Sequence, residues 1–151
     1  MILLLDTDTF ILLLRGTAIQ HPRTAKEKSV AASAKRIRER CRKELRLGRR
    51  IGLSAISLAE LEFGLRQCGR YDAKRPALQQ ALAPFERFAF DPVDCVHHYG
   101  RVRAGLEAAG KSIGPLDLLI AAHALALDAT LITHNTREFQ RVEGLPVADW
   151  A

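Results

Sequence analysis

Apolar and polar positions along the chain fall into short blocks whose period alternates between that of a strand and that of a helix. Met1 to Leu5 is unbroken apolar sequence ended by Asp6, the pattern of a strand buried on both faces of a parallel sheet. Thr7 or Asp8 is suited to cap a helix running to Arg15, with Gly16 as its stop. From about Arg23 to Leu47 there is neither Gly nor Pro, and Val30, Ala34, Ile37, Cys41 and Leu45 recur at helical spacing. One long amphipathic helix is expected there. Arg50–Ser54 reads as a short strand, and Ser57 with Glu60 three residues later matches a capping box opening a helix toward Leu65. Residues 75–84 predict a further helix, Arg87–Phe90 a short strand, and Asp91-Pro92 the start of a helix to Ala109. Gly114-Pro115 opens another helix to Leu127, Ala129–Thr133 is a fourth strand and Leu145–Asp149 an edge strand.

Strands alternating with helices in this way predict an α/β fold with a parallel, doubly wound sheet, whose active site lies outside the carboxyl ends of the strands. Asp6, Ser54 and Thr133 all stand at such ends. No repeat or linker divides the 151 residues, so a single domain over 1–151 is expected, large enough to bury roughly two thirds of its unfolded surface. The apolar runs are too short to span a bilayer. The opening MILLLD has no basic stretch before it and no small-residue cleavage site after it, so it reads as a first strand rather than a signal peptide and a cytoplasmic location is expected. Cys41, Cys68 and Cys95 are an odd number without metal-binding spacing, which fits reduced structural thiols.

Charge sharpens this picture more than composition does. The net charge of +6 is concentrated between His21 and Arg50, where 12 Lys or Arg face 3 Glu, while the remaining residues carry 11 basic and 14 acidic groups. A cationic helical segment at about 23–49, with Lys35, Arg36, Arg42, Lys43 and Arg46 on its outer face, is suited to hold phosphate backbones without reading bases.

Three carboxylates then stand out by position. Asp6 ends an apolar strand, Glu60 lies in ISLAELEFG, and Asp117 is followed directly by LLIAA. Each has a structural alternative: Asp6 as a helix cap, Glu60 as a capping-box partner, Asp117 as an acid answering a helix dipole. Together they are harder to dismiss, because buried carboxylates gathered at one sheet edge repel unless a cation joins them. His21, His97, His98, His123 and His134 lack the spacing of zinc ligands, whereas Mg²⁺ suits one or two carboxylates plus water and phosphate oxygens. No Walker A, GxGxxG, GxSxG or HExxH motif is present, which leaves metal-assisted phosphoryl chemistry.

The segments LLLDTDTFILLLRG, ISLAELEFG, PLDLLIAAHAL and LITHNTREFQRVEGLPVADW occur in an order that resembles the PIN-domain ribonucleases, most closely the toxin members of VapBC-type toxin–antitoxin pairs. The resemblance implies a PIN-like three-layer αβα sandwich with a mostly parallel sheet of four to five strands. It implies that Asp6, Glu60 and Asp117 hold Mg²⁺ or Mn²⁺, with Thr133 and Asn135 as neutral oxygen donors where many relatives have a fourth acid, and Asp8 as an auxiliary acid whose side chain points away from that of Asp6.

The implied reaction is hydrolysis of an RNA phosphodiester by a metal-activated water, leaving 5′-phosphate and 3′-hydroxyl ends. Structured RNA such as tRNA or ribosomal RNA is the implied substrate, read by shape and backbone because few aromatics are free to stack on bases. The resemblance also implies a homodimer held by a VapB-type antitoxin, whose contact is expected around residues 7–15 and 56–68. Two other readings stay open: a non-catalytic RNA-binding or scaffold domain, which Asn135 in place of an acid makes conceivable, and a housekeeping RNA-processing nuclease with no antitoxin.

Overall fold

A strand five residues long and buried on both faces needs cover from two sides, and the chain supplies it with helices after each strand. The structure is a computed structural model and describes all 151 residues. Its strands are β1 (Ile2–Leu5), β2 (Arg50–Ser54), β3 (Glu86–Phe88), β4 (Thr130–Ile132) and β5 (Val147–Ala148). They form one sheet in the order β3-β2-β1-β4-β5, every neighbouring pair parallel.

The helices are α1 (Thr7–Ala18), α2 (Ala25–Arg46), α3 (Ala55–Gln67), α4 (Tyr71–Leu82), α5 (Asp94–Ala108), α6 (Pro115–Ala126) and α7 (Thr136–Phe139). Alternation along β1 separates two cores: Leu3 and Leu5 pack with Phe10, Ile37, Cys41, Ile51 and Leu61 under α1–α4. Leu4 packs on the other face with Val102, Leu106, Ile120 and Leu131 under α5 and α6. The α/β fold with layers of helix, sheet and helix is therefore as the chain pattern predicts, with all five strands parallel.

Several boundaries differ from expectation for identifiable reasons. Asp6, not Thr7 or Asp8, caps α1, accepting a hydrogen bond from the Thr9 backbone N–H at 2.7 Å. Gly16 does not stop that helix: its bare Cα lets α2 approach, and a Cβ there would lie 2.3 Å from that of Ala34. The glycine is a packing contact between two helices, and α1 continues to Ala18. Ser54, not Ser57, caps α3, its Oγ accepting from the Ile56 N–H at 3.0 Å, so no capping box forms at Ser57 and Glu60. α4 begins at Tyr71 and accommodates Pro76 inside. The short α7 was not expected.

The order β3-β2-β1-β4-β5 has its switch between β1 and β4, where the chain leaves one half of the sheet for the other. Ligands of open α/β sheets bind in the crevice outside the strand ends at that point. Asp6 follows β1 and Thr133 follows β4 there, tied by the Asp6 N–H donating to the Ile132 carbonyl at 3.0 Å.

The long helix α2 has another destination. It opens with a full capping box between Thr24 and Glu27 and must hand the chain to the amino end of β2, where Arg50 N–H donates to the Met1 carbonyl. Its last turn, with Lys43 and Arg46, therefore stands at the amino edge of the sheet. Five strand residues at about 3.3 Å each put that edge roughly 16 Å from the carboxyl edge. The connection to β2 thus carries the end of the cationic face away from the strand ends where Asp6 and Thr133 stand.

Candidate active site

Asp6 is only 4 % exposed, and its carboxylate is held by neutral donors alone. One oxygen accepts from Thr9 N–H, the other from the Thr133 hydroxyl at 2.5 Å. Burial raises its pKa against these hydrogen bonds, which favour the charged form, with Asp8 adding repulsion. Asp8 is exposed, yet its charge raises both Asp6 and Asp117. Asp8 thus adds negative charge near the two acids without a hydrogen bond to either.

Asp117 lies in the first turn of α6, where Pro115 opens the helix and no side chain caps it. Gly114 precedes it closely enough that a Cβ there would sit 3.3 Å from an Asp117 carboxylate oxygen, so the glycine keeps that side of the group clear. Its pKa is pushed up to about 6, first by burial and then by Glu138, Asp6, Asp8 and Glu60. Burial and repulsion both disfavour the charged form, a penalty on the order of 2 kcal/mol once partial exposure is allowed for.

Glu60 sits in the second turn of α3, and its Oε1 accepts the Thr7 hydroxyl at 2.6 Å. Thr7 also lies 2.9 Å from the hydroxyl of Ser57. The capping-box alternative for Glu60 therefore fails: the carboxylate turns toward α1 and the site.

Thr133 is fully buried, its hydroxyl donating to Asp6 and accepting from the Asn135 N–H at 2.9 Å. It orients Asp6 rather than presenting a free oxygen donor. Asn135 stands at the start of α7 with no side-chain capping bond. The acid that sequence reasoning missed is Glu138, one turn further on in α7, whose charge raises the Asp117 pKa more than that of any other acid. The signal that could have found it is TREF itself, a single helical turn that moves the acid from position 135 to position 138.

Behind these groups, the fully buried His123 on α6 places Nδ1 2.7 Å from Ser54 Oγ, and the Phe90 ring meets it edge-on. Because Ser54 Oγ already accepts from Ile56 N–H, its own proton is free for the imidazole. Burial lowers the His123 pKa, so the ring is neutral and serves to join α6 to the start of α3.

None of Asp6, Asp8, Glu60, Asp117 and Glu138 forms an ion pair with a Lys or Arg. Nor do any three converge on one ready-made coordination sphere. An all-carboxylate donor set without internal counter-ions suits Mg²⁺, which keeps several of its waters. It does not suit Zn²⁺. The basic residues Lys35, Arg36, Arg42, Lys43 and Arg46 are exposed along α2 and are not brought to this cluster.

Two apolar grooves border α1. One, of about 410 Å³, runs between α1, α2 and α4 and includes Phe10, Leu13, Ala81 and Phe85, with Arg38 and Arg42 among its lining. The other, of about 510 Å³, lies between α1, α3 and α4 and includes Ile11, Leu14, Leu61 and Leu65, with Glu60 contributing to its wall. No helix is long and apolar enough to cross a membrane.

Comparison with known proteins agrees with this geometry. The PIN domain family model matches residues 3–145. The chain is 39% identical over 100 residues to ribonuclease VapC2 of Rickettsia felis, covering 66% of this chain and 74% of that protein. It is 31% identical over 99 residues to the tRNA(fMet)-specific endonuclease VapC of Shigella flexneri, with the same coverage. Among solved structures, VapBC2 from Rickettsia felis bound to a DNA fragment from its promoter superposes over 100% of both chains with a TM-score of 0.80 at 29% identity. VapBC-1 from nontypeable Haemophilus influenzae does so over 99% of this chain and 98% of its own, with a TM-score of 0.81 at 33% identity. A parallel sheet with acids gathered at its switch point, matched over nearly its whole length by one family, makes this chain a member of the PIN-domain family, among the VapC ribonucleases.

Proposed function

We propose that the chain is a single PIN nuclease domain over residues 1–151 acting in the cytoplasm as a divalent-metal-dependent endoribonuclease, the toxin of a toxin–antitoxin pair. The observation that carries this reading is the crowd of carboxylates at the switch point with no internal cation to offset them. Asp6, Asp117 and Glu60 would hold Mg²⁺ or Mn²⁺, with Glu138 and Asp8 adding negative charge around it. Bound there, the metal would lower the pKa of a coordinated water and neutralise charge on the phosphoryl oxygens.

The chain's own residues do the positioning. Thr133 and Thr9 fix the rotamer of Asp6, Gly114 keeps the approach to Asp117 open, and the His123–Ser54 bond holds the helices of Asp117 and Glu60 in register. The case for a non-catalytic domain rested on Asn135, and Glu138 supplies an acid three residues later. Structured RNA is the proposed substrate, in keeping with a relative named for tRNA(fMet). The exposed cations of α2, Lys35, Arg36, Arg42, Lys43 and Arg46, would take backbone phosphates flanking the cut rather than at it.

The superposed structures are VapBC complexes, and a VapB-type antitoxin is the proposed partner of a toxin homodimer. The groove between α1, α3 and α4 joins the two expected contact segments, 7–15 and 56–68, and opens beside Glu60. A chain seated in it could present a cation to the acids. The purified protein is expected to cut RNA with Mg²⁺, to stop on adding EDTA, and to resume when Mg²⁺ is restored. Cleavage that persists in EDTA would overturn this reading.

A further inference from the structure

We infer that Thr7 is the positioning residue for Glu60, through a two-hydroxyl relay with Ser57 that fixes how Glu60 presents its carboxylate to the metal. The inference rests on the metal-dependent reading above and adds to it a residue outside the acidic set.

Thr7 is the first residue of α1, beside Asp6, and is buried. Ser57, in the first turn of α3, is completely buried. The Thr7 hydroxyl has a single proton and two partners: Glu60 Oε1 at 2.6 Å and Ser57 Oγ at 2.9 Å. A hydrogen bond to a charged acceptor is the shorter and stronger kind, so the proton goes to the carboxylate. Ser57 is then left to donate its own proton to Thr7 Oγ1. The resulting chain runs from Ser57 through Thr7 to Glu60, every step within hydrogen-bond distance.

Two consequences follow. Residues 6 and 7, adjacent in sequence, thus place two acids: Asp6 contributes its own carboxylate and Thr7 grips that of Glu60. The spacing between carboxylates carried by α1 and α3 is thereby set by one peptide unit. Second, Oε1 accepts the Thr7 hydroxyl while Oε2 makes no hydrogen bond within the chain, so the direction in which Glu60 presents its remaining lone pairs is fixed by Thr7. Groups that orient a ligand in this manner commonly matter by about 10–100-fold in metal affinity.

The test compares Thr7→Val, which keeps the shape and removes the hydroxyl, with Thr7→Ser, which restores it, in the full-length protein. Mn²⁺ binding is measured by electron paramagnetic resonance titration, and the metal concentration giving half-maximal RNA cleavage is measured alongside. Thr7→Val is expected to weaken Mn²⁺ binding and shift the half-saturating metal concentration by about tenfold, while Thr7→Ser stays within about threefold of the unaltered protein. Ser57→Ala should shift both in the same direction by less.

Mn²⁺ affinity unchanged in Thr7→Val overturns the inference, because a role confined to packing would alter the thermal midpoint but not metal affinity. If Thr7→Val does not fold, Ser57→Ala decides, and unaltered metal affinity there has the same meaning. Failure of the unaltered protein to bind Mn²⁺ at all would overturn the underlying metal-dependent reading instead.

Discussion

Two carboxylates in this protein are almost equally hidden, Glu44 at 2 % exposure and Asp6 at 4 %, and the chain treats them in opposite ways. Glu44 on α2 is clamped by Arg40 at 3.0 Å and Arg49 at 2.9 Å. Asp6 receives only a backbone N–H and a threonine hydroxyl, with other acids as its neighbours. A buried charge left unpaired costs several kcal/mol, and the fold offsets that cost at Glu44 from within. At Asp6 it does not. On the proposed function, the difference separates an acid that serves the structure from one left for a cation arriving from outside.

Exchanging the two insults is the sharpest way to break this contrast. Asp6→Asn keeps the size and the capping role of the side chain, and is expected to lower RNA cleavage by at least about 100-fold, since a direct ligand should matter more than its outer-shell support. Its thermal midpoint should be unchanged or raised. Glu44→Gln should do the reverse, leaving cleavage intact while losing about 2 kcal/mol and roughly 4–8 °C in midpoint. Equal losses of activity in both variants would erase the distinction.

The cationic face of α2 gives a smaller effect. Replacing Arg42, Lys43 and Arg46 together by Ala removes three cations that have no acidic partner. RNA affinity should fall by about tenfold at moderate salt, and the slope of log affinity against log salt should flatten by about 2. The cleavage rate at saturating RNA should not change, because these residues approach the far edge of the sheet. A fall in that rate would place them at the chemistry after all.

The smallest effect concerns pH. The folded-state pKa of Asp117, about 6, lies above its ordinary value of 3.8. Between those values the folded protein retains a proton that the unfolded chain has lost, so this group favours folding at low pH. Its contribution falls as pH rises toward 6 and stays absent above. Lowered carboxylates such as Glu86 and Glu62 act in the opposite sense, so the useful quantity is a difference. In EDTA, the midpoint of Asp117→Asn minus that of the unaltered protein should grow by a few degrees from pH 4 to pH 7. Mg²⁺ at pH 7 should raise the midpoint of the unaltered protein and not that of the variant.

Much of this was legible in the chain because burial leaves a mark on composition. A strand covered on both faces has to be apolar throughout, and that exposed β1, β4 and the position of Asp6 at a strand end. Side-chain placement within short polar segments was less legible. THNTREF carries its acid at 138 only because a single turn of helix forms there, and four residues are too few for periodicity to register. Ser57 and Glu60 matched a capping box in spacing, yet Ser54, buried beside His123, took the cap and shifted the helix by one turn. The destination of the α2 cations was set by strand pairing at the other end of the sheet, which no local pattern encodes. The PIN resemblance pointed to Asp6, Glu60 and Asp117; the hydroxyls of Thr7 and Thr133 that hold Glu60 and Asp6 became visible only in three dimensions.

The central place of β1 also bears on how the protein is made. β1 is made before β4, with which it pairs, and Asp6 is gripped by Thr133, 127 residues later. Such distant pairings form late. A growing chain that already carries Asp6, Glu60 and Asp117 therefore lacks the Thr133 hydroxyl that holds Asp6 until β4 has emerged. On the proposed function, a nascent chain halted before β4 should be inert toward the RNA of the ribosome making it.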